Sequence, residues 1–248
     1  REFSIPIYIV GNGSNLLVGD KGFRGAIIQL YKSMGTFQVE GNQITAQAGC
    51  SLAQIANAAL DAALTGFEFA AGIPGTLGGA VVMNAGAYGG EMKDVLTSVR
   101  VMTEEGEIME LPAEELGLGY RTSIIPEKRY IVLGAVISLT EGKKEEIKAQ
   151  MDDLRQKRVS KQPLEYPSAG STFKRPEGYF AGKLIQDAGL RGFQVGGAQV
   201  SEKHCGFVIN KDQATASDVM NLMNQVSDKV YEEFGVRLQP EVKRLGEF

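Results

Sequence analysis

AGIPGTLGGAVVMNAGAYGGE, at residues 71–91, holds seven glycines among small side chains, and we call it the glycine block. Glycine loses more conformational entropy on folding than any other residue, so this density is costly unless the backbone must approach a neighbour closely. We predict a loop system whose backbone lies against a ligand, with unshielded amides facing outward at Asn84, Ala85 and Gly86. Such rows of amides suit a phosphate or the edge of a flavin ring. A tight turn between packed strands is the alternative.

A second motif, GNGSNLL at residues 11–17, comes after the apolar run Ile5–Val10, and we call it the first glycine loop. The Rossmann fingerprint for dinucleotides needs a third glycine, a helix directly after the loop and an acidic residue about 20 positions on. Three glycines interrupt the segment between residues 19 and 25, so we predict no helix after Asn15 and a chain that continues into the strand Ala26–Leu30. Two glycine motifs without a Rossmann helix favour a nucleotide held mainly by loop backbone.

Length, charge and cysteine usage bound the class of protein. The chain has 248 residues, enough for one large domain or two modest ones, and its net charge of -4 argues against a nucleic-acid platform. No run approaches the roughly 18 apolar residues of a membrane span, and we expect no secretory, lipidation or transit signal. Cys50 and Cys205 make neither a disulfide framework nor a metal-ligand spacing, so we predict no metal site and a reducing cytoplasm.

The first half of the chain combines strand and helix signals, which predicts an α+β fold. Alternating apolar residues predict strands at Ile5–Val10, Ala26–Leu30, Thr36–Val39, Ile44–Ala48, Val95–Met102, Ile108–Leu111 and Tyr130–Leu139. A capping box of Ser51 and Gln54 predicts the start of a helix whose buried face runs from Leu52 to Leu60. The composition then becomes highly charged, so we place a domain boundary near Gly142, between domains of residues 1–142 and 143–248.

The second half has its own set of predicted elements. A charged helix carries Ile147, Met151 and Leu154 on one face. The others are a helix around Tyr179–Ala188 with Phe180 inward and Gly189 as its C-cap, strands near Ala198–Val200 and Phe207–Ile209, and a long helix from a capping box at Thr215 to Gly235. These elements again combine helix and strand, which predicts a second α+β unit.

The chemically suggestive residues of this half are predicted to lie in loops. Four cations lie near Ser171 in the sequence: Arg158, Lys161, Lys174 and Arg175. Because Arg and Lys bind phosphate, and a hydroxyl beside a glycine can point freely into a cavity, this pattern is typical of an anion site. The alternative for Ser171 is a turn or cap hydroxyl.

His204 is the single histidine of the chain, which excludes a metal site built on several histidines. A Ser-His-Asp triad would depend on His204 alone. Its neighbours Lys203 and Cys205 indicate a structural or surface histidine.

Five motifs occur along the chain in one order. They are GNGSNLL at 11–17, GIPG through NAGAYG at 72–89, YRTS at 120–123, AGSTFK at 169–174 and PEV at 240–242. Together they resemble the UDP-N-acetylenolpyruvoylglucosamine reductase (MurB) family over nearly the whole chain, and the uninterrupted segment from Lys161 to Ser171 resembles its shorter bacterial branch. The family has a further N-terminal segment that helps to hold the flavin diphosphate. The chain begins at Arg1 without it, so we expect the first FAD-binding lobe to be incomplete.

The resemblance implies a fold and a reaction. The fold has FAD-binding lobes of the vanillyl-alcohol-oxidase type and a C-terminal α+β domain that closes over the substrate. NADPH reduces the non-covalently bound FAD, NADP leaves, and the enolpyruvyl ether of UDP-N-acetylglucosamine takes its place in the same cleft. Flavin N5 then delivers hydride to C3, and the negative charge that develops at C2 calls for preorganised cations and acids. The implied product is UDP-N-acetylmuramate, a peptidoglycan precursor, and we expect a cytoplasmic monomer.

The family's catalytic roles map onto Ser171, Arg121 and Glu241. Arg121 and Glu241 would stabilise the enolate-like intermediate, and Ser171 would donate the proton to C2. Val236, Leu238, Val242 and Leu245 make the surroundings of Glu241 apolar, so we expect it to be protonated and to donate a hydrogen bond to the substrate carboxylate. The alternative is a surface carboxylate paired with Lys243 or Arg244.

The implied cofactor-binding residues lie in the first glycine loop, in the glycine block and at the end of the charged helix. They are Gly11, Asn12, Gly13, Ser14, Asn15, Leu16, Gly72, Gly75, Thr76, Gly78, Gly79, Asn84, Gly86, Ala87 and Arg158. The substrate-binding candidates are Tyr120, Lys161, Lys174 and Arg175, of which the last two are chosen by charge for the uridine diphosphate.

Two other functions compete with this one. Another FAD-dependent oxidoreductase of the same fold would act on a small alcohol or hydroxy acid, and many such enzymes attach FAD through His or Cys. Cys50 and His204 lie outside the glycine motifs, which favours non-covalent FAD. A nucleotide-sugar sensor without turnover could dispense with Ser171, Arg121 and Glu241 together. All three are present, which favours the enzyme.

Overall fold

Short strands and helices alternate along the chain, in the mixture that the sequence predicts. Among residues 4–248, which the computed structural model describes, the strands are β1 (Ile7–Val10), β2 (Leu16–Val18), β3 (Ala26–Gln29), β4 (Phe37–Glu40), β5 (Gln43–Gln47), β6 (Leu64–Thr65), β7 (Gly86–Ala87), β8 (Gly90–Glu91), β9 (Leu96–Met102), β10 (Ile108–Pro112), β11 (Ile131–Ser138), β12 (Thr140–Glu141), β13 (Ser168–Ser171), β14 (Gln194–Val195), β15 (Ala198–Val200), β16 (Phe207–Asn210) and β17 (Lys243–Leu245). The helices are α1 (Leu52–Asp61), α2 (Leu77–Met83), α3 (Lys144–Lys161), α4 (Ala181–Asp187) and α5 (Ala216–Phe234). The expectation about the start of the chain at Arg1 lies outside the described residues.

The first core forms on one face of a five-stranded antiparallel sheet of order β10-β9-β11-β5-β4. Alternate residues of its strands, such as Ile44, Val99 and Ile137, are buried beneath α1 and α2. The predicted capping box of α1 is confirmed, since Gln54 N donates to Ser51 Oγ at 3.2 Å and Ser51 N donates to Gln54 Oε1 at 3.0 Å. Leu60 is only half-buried, so the buried face of α1 ends at Ala59, one residue earlier than predicted.

Two parallel strand pairs are separate from this sheet. β1 pairs with β3, and the exposed side chains of Ile7, Ile27 and Ile28 make their outer surface apolar. β2 pairs with β17, the last strand of the chain, so the segment after the first glycine loop lies against the C-terminal end. Leu16 enters β2 directly, and the prediction of no helix after Asn15 is confirmed.

The second core lies between a four-stranded antiparallel sheet of order β13-β16-β15-β14 and the helices α4 and α5. α5 buries Leu222, Met223 and Val226 against this sheet. Its predicted capping box is confirmed, because Asp218 N donates to Thr215 Oγ1 at 3.0 Å and Thr215 N donates to Asp218 Oδ2 at 3.0 Å. The described chain therefore has two α+β units, as the sequence predicts.

The helix α3 begins just after the predicted boundary at Gly142 and packs against the first core. Ile147 is buried, and Met151 contacts the buried residues of that core. We propose that α3 connects the two cores, while the boundary near Gly142 stays a prediction.

Three local predictions are wrong. The glycine block contains α2 in place of a continuous loop system, because Gly78 packs on Ala48 of the sheet and its amide donates to Ala48 O at 2.9 Å. Phe180 lies just before α4 and is 62% exposed, so it does not face the second core. Arg158 and Lys161 lie in the last turn of α3 and Ser171 is the last residue of β13, so these three residues do not lie in loops. No helix within residues 4–248 combines the length and the hydropathy that crossing a bilayer requires.

Candidate active site

The two glycine motifs meet where β1 ends and α2 begins. A Cβ atom at Gly11 would lie 2.1 Å from Thr76 Oγ1, so only glycine allows these two segments to approach so closely. A Cβ atom at Gly75 would lie 3.9 Å from Ser14 Oγ, which places the two loops side by side. The sequence predicts both loops as cofactor-binding, and the fold brings them together.

This meeting point offers hydrogen-bond donors that the described protein atoms do not use. The backbone amides of residues 12–15 donate to no acceptor within residues 4–248. Thr76 Oγ1 is buried and has no partner among the described residues. Leaving a buried polar group unpaired costs about 1–3 kcal/mol. These donors fit a group rich in acceptor oxygens, such as the diphosphate of FAD.

Asn84 has a structural place in the glycine block. It is fully buried, and its Nδ2 donates to Glu91 Oε2 at 2.8 Å and to Gly119 O at 3.0 Å. Its backbone amide donates to Val81 O at 3.1 Å, and that of Ala85 donates to Ala80 O at 2.8 Å. The prediction that the amides of Asn84 and Ala85 face outward is therefore wrong, because they close the end of α2. A contact of Asn84 or Ala87 with the cofactor stays a prediction.

Arg121 and Glu241 form an ion pair across 120 positions of sequence. Arg121 Nε donates to Glu241 Oε1 at 2.8 Å, and Arg121 Nη2 donates to Gly86 O at 3.1 Å. Both side chains are largely buried, with 20% and 13% of their surface exposed. Arg121 has a φ of +54°, a left-handed conformation that a non-glycine residue keeps only where its surroundings enforce it. The partner of Glu241 is thus Arg121, and the alternative pairing with Lys243 or Arg244 is wrong.

Ser171 lies at the end of β13, and the backbone that follows it pairs with the segment that carries Glu241. Glu241 N donates to Thr172 O at 2.9 Å, and Phe173 forms a bridge with Pro240. Ser171 is exposed, and its hydroxyl has no hydrogen-bond partner within residues 4–248. The structure therefore does not support the turn-or-cap alternative for Ser171, and the three predicted catalytic residues share one region.

The cations predicted around Ser171 fall into two places. Lys174 N donates to Gln239 O at 2.8 Å, and Arg175 N donates to Tyr120 Oη at 2.9 Å. The Arg175 guanidinium lies 4.0 Å from the centre of the Phe180 ring. The backbone of Lys174 and Arg175 therefore lies beside the catalytic segment and Tyr120, and Phe180 is an aromatic neighbour of the Arg175 side chain. Substrate binding by Tyr120, Lys174 and Arg175 stays a prediction.

Arg158 belongs to the second place, at the end of α3 with Lys161. A Cβ atom at Gly72 would lie 2.7 Å from Arg158 Nε, and the guanidinium lies 5.8 Å from the centre of the Tyr88 ring. Burial lowers the pKa of the Arg158 guanidinium from its usual value. Beside it lies a cavity of about 450 Å³ between α1 and α3, which is lined by Gly72 and Tyr88 but not by Arg121, Ser171 or Glu241.

The remaining candidates, His204, Cys50 and Cys205, have structural roles. His204 Nδ1 accepts a hydrogen bond from Gly206 N at 3.0 Å, and burial lowers the pKa of its imidazole. This confirms the structural reading of His204. Cys50 and Cys205 are buried free thiols, which confirms that they form no disulfide. Residues 4–248 contain no group of three or more His, Cys, Asp or Glu side chains that could hold a metal ion.

Sequence reasoning missed one polar residue of the site and gave another a different role. Asn15 was assigned to the cofactor, yet its Nδ2 donates to Glu241 O at 3.2 Å, so it also contacts the catalytic segment. Tyr88, with a φ of +53°, lies against Arg158 and was not singled out. The sequence signal for Tyr88 is its position in the glycine block, between Ala87 and Gly89, where it is a large side chain among small ones.

Two family models match separate segments of the chain. The family model described as FAD binding domain matches residues 1–112. The model described as UDP-N-acetylenolpyruvoylglucosamine reductase, C-terminal domain, matches residues 162–245.

Curated relatives cover the whole chain. The UDP-N-acetylenolpyruvoylglucosamine reductase of Agathobacter rectalis is 59% identical over 260 residues, with 100% of this chain and 83% of the relative covered. That of Caldanaerobacter subterraneus subsp. tengcongensis is 58% identical, with 100% and 82% covered.

The fold is also that of a solved reductase. The crystal structure of UDP-N-acetylenolpyruvylglucosamine reductase (MurB) from Thermus caldophilus matches with a TM-score of 0.86 and 39% identity, over 98% of this chain and 86% of that one. The comparisons confirm the predicted fold class and the predicted cofactor, FAD, and they support the reductase over another flavoenzyme of the same fold. The chain belongs to the UDP-N-acetylenolpyruvoylglucosamine reductase family.

Proposed function

We propose that this chain reduces the enolpyruvyl ether of UDP-N-acetylglucosamine to UDP-N-acetylmuramate in peptidoglycan precursor synthesis, with NADPH as the reductant. The observation that carries the proposal is the hydrogen bond of 2.8 Å between Arg121 and Glu241. The backbone amide of Glu241 donates to Thr172 O, so this ion pair lies beside Ser171, the residue that precedes Thr172. A largely buried charged pair with an exposed, unpaired hydroxyl close by suits a reaction in which carbanion-like charge develops and is then protonated.

The amides of residues 12–15 and the Thr76 hydroxyl would hold the diphosphate of FAD. When bound and reduced by NADPH, FAD would supply the hydride for the enolpyruvyl double bond. The glycine at position 11 lets the first glycine loop approach Thr76, since a Cβ atom there would lie 2.1 Å from Thr76 Oγ1, and this would bring the two sets of donors to one diphosphate. No residue suited to covalent attachment lies in these loops, which supports non-covalent binding.

Arg121 would stabilise the negative charge that develops at C2 and spreads into the substrate carboxylate. Its guanidinium is held by Glu241 on one side and by Gly86 O on the other, so it needs little reorganisation when the charge develops. Glu241 accepts a hydrogen bond from Arg121 in this structure, whereas the sequence led us to expect a donor. We therefore assign Glu241 the task of orienting Arg121, and donation to the substrate carboxylate stays a prediction.

Ser171 would donate the proton to C2. A serine hydroxyl is a weak acid, so the transfer requires a strongly basic carbon and nearby cations that stabilise the alkoxide left behind. Lys174 and Arg175, which follow Ser171 within four residues of sequence, would supply these cations together with Arg121.

The test separates the two half-reactions by anaerobic stopped-flow absorbance of the flavin. Ser171→Ala is expected to leave reduction by NADPH nearly unchanged and to slow reoxidation by the enolpyruvyl substrate by about 10²–10⁴-fold, the usual loss of a general acid. Ser168→Ala changes the exposed serine at the other end of the same strand; it is the control and is expected to leave both rates unchanged. Equal slowing of both half-reactions by Ser171→Ala would indicate a structural serine.

We further propose that the enzyme works as a cytoplasmic monomer and binds neither nucleic acid nor a membrane. The net charge of -4 and the two buried free thiols support this. Size-exclusion chromatography with light scattering tests the monomer, and a mass near twice 26.7 kDa would contradict it.

A further inference from the structure

Asp20 joins the two parts of the chain at a helix end. It lies in the turn after β2, and its carboxylate accepts three hydrogen bonds from the first turn of α5: Ala216 N at 2.6 Å, Ser217 N at 3.0 Å and Ser217 Oγ at 2.8 Å. These hydrogen bonds lower the pKa of the Asp20 carboxyl, with that from Ala216 first. A carboxylate is also stabilised by the dipole of a helix N-terminus.

The helix does not need Asp20 for its local cap. Thr215 and Asp218 already form a complete capping box within α5. Asp20 satisfies the two amides that this box leaves over, at Ala216 and Ser217, and does so from 196 and 197 positions away. The added effect of Asp20 is therefore a connection between two parts of the fold.

This connection continues to the catalytic segment by two routes. Along the first, Gly19 N donates to Leu245 O at 2.8 Å, β2 pairs with β17, and Lys243 N donates to Asn15 O at 2.9 Å. Along the second, α5 holds the returning chain through Ser227 Oγ, which donates to Leu238 O at 3.3 Å. Glu241 lies between the two routes, so its position depends on how α5 is held against the first glycine loop.

We propose that Asp20 is a positioning residue of the reaction. It fixes α5 and thereby holds Glu241 and Ser171 in position relative to the first glycine loop and the glycine block. The role rests on the proposed function only for its effect on catalysis. Its effect on the position of residues 239–245 can be measured without any substrate, so the two ideas fail separately.

The structural test is hydrogen–deuterium exchange of the FAD-loaded protein. Asp20→Ala is expected to raise exchange in residues 239–245, where the amides of Glu241 and Lys243 donate to Thr172 O and Asn15 O. Asp218→Ala is the matched control, because it removes the hydrogen bonds from Thr215 N and Gly197 N at the same helix end but none across the two parts. It is expected to raise exchange only in residues 194–219. Unchanged exchange at 239–245 in Asp20→Ala, or an equal rise there in both variants, overturns the proposal.

The kinetic test uses the same two variants. Asp20→Ala is expected to slow flavin reoxidation by the enolpyruvyl substrate by about 10–100-fold at saturation, the effect of misplacing a reacting group by up to roughly 1 Å, with NADPH reduction unchanged. Asp20→Asn, which keeps one acceptor oxygen, is expected to restore part of the rate and serves if the alanine variant does not fold. A reoxidation rate in Asp20→Ala equal to that of the original protein overturns the proposal, whereas a failure of the original protein itself to be reoxidised refutes the proposed function alone.

Discussion

The first glycine loop and the glycine block look alike in sequence and use their glycines differently. In the loop, Gly11 allows its segment to approach Thr76, and the amides of residues 12–15 have no acceptor within the described residues. In the block, Gly78 lets α2 lie on the sheet, and Asn84 ends that helix from a fully buried position. Glycine density alone therefore does not distinguish a backbone that waits for a ligand from one that packs on protein.

The two motifs differ in whether their hydrogen-bond donors have acceptors within the described protein. Donors that are left over at residues 12–15 and at Thr76 point to a bound group, whereas those of Asn84 and Ala85 are consumed inside the fold. If this distinction is correct, substitutions in the two sets should separate protein stability from FAD affinity.

The largest effect is expected at Asn84. Asn84→Ala removes two donated hydrogen bonds and the acceptor for Lys93 N, all in a fully buried position, and should lower the free energy of unfolding by roughly 3 kcal/mol. Urea denaturation of the apoprotein measures it. Asn42→Ala, which loses one hydrogen bond to Leu139 O, is the control and should cost about 1 kcal/mol. A small stability loss with a large loss of FAD affinity would move Asn84 into the ligand-binding set.

Thr76 should show the opposite behaviour. Thr76→Val removes a buried hydroxyl that has no partner among the described residues, so the apoprotein should be at least as stable as the original protein. FAD should bind about 10–100-fold more weakly through the loss of one hydrogen bond to a charged group. Thr172→Val is the matched control for stability, since Thr172 Oγ1 accepts from Val208 N at 2.8 Å. Calorimetry of the apoproteins and fluorescence titration of FAD give the two numbers. Unchanged FAD affinity in Thr76→Val would remove Thr76 from the cofactor site.

The sequence predicts those features that depend on neighbouring residues. Both capping boxes, at Ser51 and Thr215, and the stop of α5 at Gly235 are local hydrogen-bond and backbone signals, and all are confirmed. The helix α2 was missed because its two glycines carry low helix propensity, and contact with Ala48 on the sheet overrides that preference.

The candidate site could be predicted in its members but not in its contacts. Five ordered motifs identify Arg121, Ser171 and Glu241 through resemblance, yet no periodicity shows that residues 121 and 241 pair. The contact of Asn15 with Glu241 O depends on β17 returning beside β2, a long-range pairing with no local signal. Phe180 was predicted inward from its apolar character, whereas the Arg175 guanidinium covers its ring at the surface.

The smallest effects are expected within α2, where two adjacent glycines should respond in opposite directions. A Cβ at Gly78 would lie 3.0 Å from Ala48 Cβ, so Gly78→Ala should cost about 1 kcal/mol of stability after the gain in helix propensity is deducted. A Cβ at Gly79 meets only Thr76 Oγ1 at 3.7 Å, so Gly79→Ala should raise stability by up to about 1 kcal/mol. Because Gly79 adjoins the unpaired hydroxyl of Thr76, this variant should also weaken FAD binding severalfold, whereas Gly78→Ala should leave it unchanged. Denaturation and FAD titration of both variants measure these effects, and a loss of FAD affinity confined to Gly78→Ala would reverse the assignment of the two faces of α2.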